Sequence, residues 1–242
     1  MDFLATLRPV AVEWRASSKL KRVSVRTEHP ETLERAWWSR LPRLLSAPAE
    51  VFAELRDESR VAADARQEPL VAVTFLAGIA MCLGLFALQP PYDRFHLDLS
   101  AFNMTFETIL GGALVALANF WLGGALLHLG ARGLGSTSGY RLARHIAGLA
   151  TAPFVLMLVL AVPVRVGLFG VDLFRDAGRD SGPGGDVFIA LDALALAWTL
   201  GLALIGIRAT QRWSWGRSAA ALGVAALFAI LLGTLTFALT SR

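Results

Sequence analysis

Charge is scarce in this chain. Charged residues make up 17% of its 242 residues and hydrophobic ones 55%, where ordinary soluble domains carry about 25% charged residues. Most of the charges lie in the first third, so the rest is too apolar to fold in water. Cysteine occurs once, as Cys82, which excludes an internal disulfide framework and any CxxC metal pair. The four histidines are scattered, at 29, 96, 128 and 145. No GxSxG, HExxH, Walker loop or dinucleotide-binding glycine pattern occurs, and no nucleophile stands beside a base. The sequence therefore predicts neither catalytic residues, cofactor nor resident metal, and no nucleic-acid partner. The opening "MDFLATLRPVAVEWRASSKLKR" lacks the apolar centre of a signal peptide, so the first span is expected to be its own insertion signal. The basic residues are almost all arginine, which reads as genome composition.

What the chain has in quantity is apolar length. A helix that crosses a bilayer needs about 20 mostly apolar residues, and five stretches qualify: 70–88, 108–127, 146–164, 187–207 and 218–239. Mean hydropathy is +0.54. Lipid cannot satisfy exposed backbone groups, so such runs must be helical. The fold class is accordingly all-α: a polytopic integral membrane protein of five transmembrane helices (residues 70–242), preceded by a cytoplasmic segment (1–69). Cytoplasmic loops carry the excess of Lys and Arg. Arg132, Arg141 and Arg144 lie between spans two and three, and Arg208, Arg212 and Arg217 between four and five. The opposite loops hold Arg94, Arg175 and Arg179 and are rich in aspartate. The N-terminus is thus expected in the cytoplasm and the C-terminus outside.

Residues 1–69 carry twelve basic and eleven acidic residues, too balanced for an electrostatic tether. Trp37, Trp38, Leu41, Leu44 and Leu45 recur at helical spacing, and Val51, Phe52 and Leu55 continue after Pro48. Two short amphipathic helices are expected within about 34–66, with Arg40, Arg43, Glu50, Glu54 and Arg56 on their polar face. Two arrangements fit. Paired tryptophans beside arginines suit a helix lying flat at the headgroups, the reading the aromatic-belt tendency favours; alternatively the apolar face packs on the ends of the spans. Residues 16–33 show little apolar periodicity and read as flexible.

In the third span, "GYRLARHIAGLATAPF" puts Tyr140, Arg141 and Arg144 at headgroup level and prolines at 153 and 163 inside. Each proline removes a backbone donor and bends the helix, as a fixed kink or as a hinge for transport. Arg165 near the outer end of span three and Asp192, about one and a half turns into span four, share a depth, and an Arg165–Asp192 contact is expected because buried membrane charges pair or line a cavity. Asn119 in span two should hydrogen-bond another helix. Gly111, Gly112, Gly123, Gly124, Gly130, Gly201 and Gly206 would let helices approach closely. Trp213 and Trp215 belong to an interfacial belt. His96 with Asp93 and Asp98 is a weak metal constellation, and Asp172, Asp176 and Asp180, interleaved with Arg175 and Arg179, read as an exposed ion-paired helix. Asn103-Met104-Thr105 is a glycosylation sequon, relevant only in a eukaryotic secretory host.

The region "GLGSTSGYRLARHIAGLATAPFVLMLV", with "LLSAPAEVFAEL" before the first span and "AWTLGLALIGIRATQRWSWGRSAA" near the end, resembles the Yip family of Ypt/Rab-interacting membrane proteins in its bacterial form. Gly135, Ser136, Ser138 and Gly139 match the family's turn, Tyr140 and Arg141 its aromatic–basic pair, and Gly148 and Pro153 its glycine and proline; Leu149 stands where the family often has tyrosine. The resemblance covers roughly residues 40–240. It implies a cytoplasmic front, five spans, and a non-enzymatic scaffold or adaptor acting through membrane organisation or partner binding. The alternative is a small carrier, or a transporter subunit, using Arg165 and Asp192. Expected partners are the lipid bilayer and a membrane or cytoplasmic protein, a second copy of the chain included.

Overall fold

The computed structural model describes residues 30–88, 101–170, 173 and 182–240. Those residues are mostly helical, with no strand among them. Residues 1–29, the constellation of Asp93, His96 and Asp98, and the repeat of Asp172, Asp176 and Asp180 lie outside the described residues.

Among the described residues of the front are four short helices: α1 (Pro30–Arg40), α2 (Arg43–Ser46), α3 (Pro48–Glu54) and α4 (Arg60–Ala65). Proline starts α3 without cost, because the first turn has no partner for an N–H. Ser59 caps α4, its hydroxyl accepting from the Ala62 N–H at 3.3 Å. The first span is α5 (Gln67–Leu88). The second is α6 (Ala101–Leu117), a π-helical turn (Ala118–Gly123) and α7 (Gly124–Gly133). The third is α8 (Tyr140–Ala150), α9 (Ala152–Leu156), a second π-helical turn (Met157–Ala161) and α10 (Val162–Phe169). The fourth is α11 (Pro183–Gln211) and the fifth α12 (Trp215–Thr240). Among the described residues five helices are long and apolar enough to cross a membrane. They outrun the apolar stretches read from sequence: the second covers Asn103–Gly133 and the fourth Pro183–Gln211. The sequon at Asn103 falls within the first turn of α6.

The first and third spans are the inner pair. Of their most apolar stretches 44% and 39% are buried, against 17%, 22% and 17% for the second, fourth and fifth. The first packs on the second and on α9; the second also meets α8 and, through α7, the fifth; the fourth meets the third and the front helix α3. The main core sits at the end of the bundle next to the front, where Leu44, Phe52, Leu55, Leu70, Leu149, Leu202 and Ile207 are sealed. A smaller cluster of Ala77, Ala80, Phe154 and Ala195 lies further along.

Glycine sets several of the crossings. A Cβ at Gly206 would stand 2.7 Å from Ile146 Cγ2 and 3.2 Å from the Phe52 ring, so the bare backbone admits both the third span and α3. A Cβ at Gly112 would stand 2.8 Å from Ile79 Cα, backbone that cannot yield. Gly201, by contrast, has nothing within 4 Å.

The third span is interrupted near both its prolines. Helix α8 ends at Thr151, whose N–H bonds the carbonyls of Gly148 and Leu149. The latter is the carbonyl that Pro153, lacking an N–H, leaves free. The Thr151 hydroxyl adds a 2.6 Å bond to Gly148 O. Pro163 follows the Met157–Ala161 turn and opens α10.

Candidate functional site

The polar groups gather where the front meets the ends of the third and fourth spans. Helix α7 closes at Gly135, φ 86°, with Gly135 N–H on Arg132 O (2.9 Å) and Ser136 N–H on Ala131 O (3.0 Å), the bonding that ends helices at a left-handed glycine. The turn then grips the end of α11: the Ser136 hydroxyl donates to Gln211 Oε1 (3.0 Å), and Gln211 Nε2 donates to Ser138 Oγ (2.8 Å). This is the glycine–serine turn anticipated before Tyr140.

From Tyr140 the third span presents one bonding group after another. Tyr140 donates its hydroxyl to Trp121 O (2.5 Å), in the π-helical turn. Arg141 Nη2 donates to Glu58 O (2.7 Å). Arg144 Cζ lies 4.2 Å from the Trp121 ring centre and 5.1 Å from those of Phe120 and Tyr140, a three-ring cage for a cation. His145 is buried at 2% exposure, and its Nδ1 accepts from Arg66 Nε at 3.0 Å. Arginine has no lone pair to offer, so His145 must be the acceptor, with no proton on Nδ1. Arg66, itself 2% exposed, donates a second bond from Nη1 to Asp57 O (2.8 Å). Arg56 Nε donates to Ala209 O at 2.9 Å, near the end of α11. Three arginines thus tie residues 56–66 of the front to the third and fourth spans.

The tryptophans divide. Trp37 is 4% exposed and belongs to the core, while its neighbour Trp38 is 43% exposed. Arg40 covers the Trp37 ring at 5.3 Å and pairs with Glu54 at 2.9 Å. With Val51, Phe52 and Leu55 buried against the spans, the apolar face of the front packs on the bundle, the second of the two arrangements that fitted the sequence. Trp213 lies under Arg217 (4.2 Å) and Trp215 under Arg208 (4.5 Å). Arg217 also bonds Leu134 O.

At the far end Arg165 and Asp192 come together, Nη1 to Oδ2 at 3.3 Å, with the Phe188 ring 5.5 Å from the guanidinium. The cavity beside them, between Gly84, Met157, Val162 and Phe188, has a volume of about 10 Å³, room for one water. Asn119 departs from expectation: its Nδ2 is buried with no hydrogen-bond partner among the described residues. It sits inside the Ala118–Gly123 turn, and the wider turn breaks the α-helical register that would aim it at a neighbour.

Arg66 and His145 drew no role from the sequence, and Arg56 was read as surface. The signal available was positional: Arg66 stands four residues before one apolar run and His145 directly before another, at the margins of the spans, where neither can rely on water.

A family model described as the Yip1 domain matches residues 43–237. The chain belongs to the Yip1 family. No curated protein and no solved structure matches it. The Yip1 match opens at Arg43, so it takes in α2, α3 and α4 together with the five spans, and it contains Arg56, Arg66, Arg141 and His145.

Proposed function

We propose that this Yip1-family protein is a non-enzymatic scaffold or adaptor of the bacterial form, in the cell membrane, with its front in the cytoplasm and its C-terminus outside. The observation that carries this reading is the fastening of the front to the bundle. Phe52 fills the space at Gly206, and Arg56, Arg66 and Arg141 bond acceptors on both sides of the junction. A protein docked on the front would be held in a set position against the bilayer. Among the described residues of the front Trp38 is the largest apolar side chain left open, and aromatic residues are favoured anchors for partners. The Arg/Lys distribution supports the orientation.

Trp38→Ala tests the proposal, because it removes exposed surface and leaves Trp37 in the core. Crosslinking in native membranes should lose a defined partner, or the chain's own dimer band, while thermal stability stays within about 0.5 kcal/mol. An unchanged crosslinking pattern would count against the adaptor role.

The carrier reading rests on Arg165 and Asp192. A cavity with room for no more than one water beside the pair favours a structural bridge. Exchanging the two residues should leave a scaffold working; a carrier would lose or change its flux in proteoliposomes.

A further inference from the structure

A groove of about 220 Å³ runs between the first and second spans, with Val71, Thr74 and Phe75 on one wall and Ala113, Leu117 and Phe120 on the other. Its origin is local. Gly112 brings the two backbones together, and Ala113, one residue on, is too short to fill the flank of that crossing. Val71 and Leu117 are about half exposed, so the groove opens sideways, toward lipid. From Ala113 to Phe120 it extends about 10 Å along the helix, some two-thirds of the hydrocarbon of one leaflet.

Phe120, at the groove's front end, also forms one wall of the Arg144 cage. The three rings favour a cation there but supply no anion. Among the described residues no carboxylate pairs with Arg144, and its guanidinium makes no hydrogen bond; Nε is covered and unbonded. A guanidinium left so at headgroup level matches the forked geometry of a phosphate, and basic pockets between spans on the cytoplasmic side suit anionic headgroups.

We propose that this is a binding site for one anionic phospholipid of the front-side leaflet, its phosphate on the terminal nitrogens of Arg144 and one acyl chain in the groove. The arrangement asks for both halves of the ligand. Phosphate alone would leave the groove unfilled, and a chain alone would leave Arg144 without an anion.

Native mass spectrometry of the full chain, titrated with phosphatidylglycerol, phosphatidylcholine, glycerol 3-phosphate or oleate, tests this. One phosphatidylglycerol should be retained in preference to the other three. Arg144→Gln should weaken its binding about tenfold, the loss of roughly one charge-assisted contact. Ala113→Phe, which fills the groove and leaves Arg144 in place, should weaken it as well. Arg144→Lys keeps the charge and should retain part of the preference. Equal retention of phosphatidylcholine, equal binding of glycerol 3-phosphate or oleate alone, or phosphatidylglycerol binding unchanged by Arg144→Gln or by Ala113→Phe would overturn the proposal. Should Arg144→Gln fail to fold, the wild-type ligand comparison and Ala113→Phe still decide.

Discussion

At the front end of the bundle Leu44, Phe52, Leu55 and Leu149 are sealed, and arginines bond backbone carbonyls or a histidine; at the far end Leu160, Leu168, Val187 and Leu231 stand open and one ion pair joins two helices. The difference follows from the surroundings each end meets. Lipid is as apolar as leucine, so exposed side chains at the far end cost nothing, and a helix that satisfies its own backbone needs few partners. The front end lies where the apolar spans give way to polar, charged chain. Burying Phe52 or Leu55 there gains hydrophobic stabilisation, and an arginine drawn inside must find acceptors. The determinants of a unique arrangement therefore concentrate at the front.

Mutations at the two ends should differ accordingly in their cost. Phe52→Ala should be the most damaging, at about 3–5 kcal/mol for a buried aromatic ring. Thermal unfolding should report it, and limited proteolysis should cut the front first. His145→Ala leaves the Arg66 Nε–H buried without its acceptor and should cost about 1.5–3 kcal/mol. The double variant Arg66→Met with His145→Leu removes both partners and should recover much of that loss, a non-additivity a double-mutant cycle measures. At the far end, Asp192→Asn keeps an acceptor for Arg165 and should cost only about 1 kcal/mol, the scale of interhelical polar contacts in membranes. A cost as large as that of Phe52→Ala would erase the contrast.

The smallest effect is a pH dependence. The backbone N–H and hydroxyl of Ser59 hold the Asp57 carboxyl below its ordinary value. A carboxylate whose pKa is lower in the folded state stabilises the fold above its unfolded pKa, and that contribution is lost as pH falls through the folded value. Asp57 is exposed, so only a slight loosening of residues 56–60 is expected below about pH 4. Asp57→Asn should abolish that acid sensitivity in a proteolysis assay.

The spans were legible in the sequence because twenty apolar residues have few other homes. Arg165 and Asp192 were legible as a pair because each interrupts an apolar run at a comparable depth. The front was only half legible. Adjacent residues point about 100° apart on a helix, so the periodicity that flagged Trp37 and Trp38 together could not say that the first turns inward and the second outward. The Arg66–His145 bond joins positions 79 apart that flank different spans, and no local pattern links them. Asn119 misled because a π-helical turn leaves no mark on hydrophobic periodicity.

Hydrogen–deuterium exchange of the protein in lipid nanodiscs tests whether the front is fastened to the end of the bundle. Pro48–Glu54 should be protected to a degree comparable with Tyr140–Ala150, and both should lose protection together in Phe52→Ala. Exchange of Pro48–Glu54 within seconds, while Tyr140–Ala150 stays protected, would contradict that fastening.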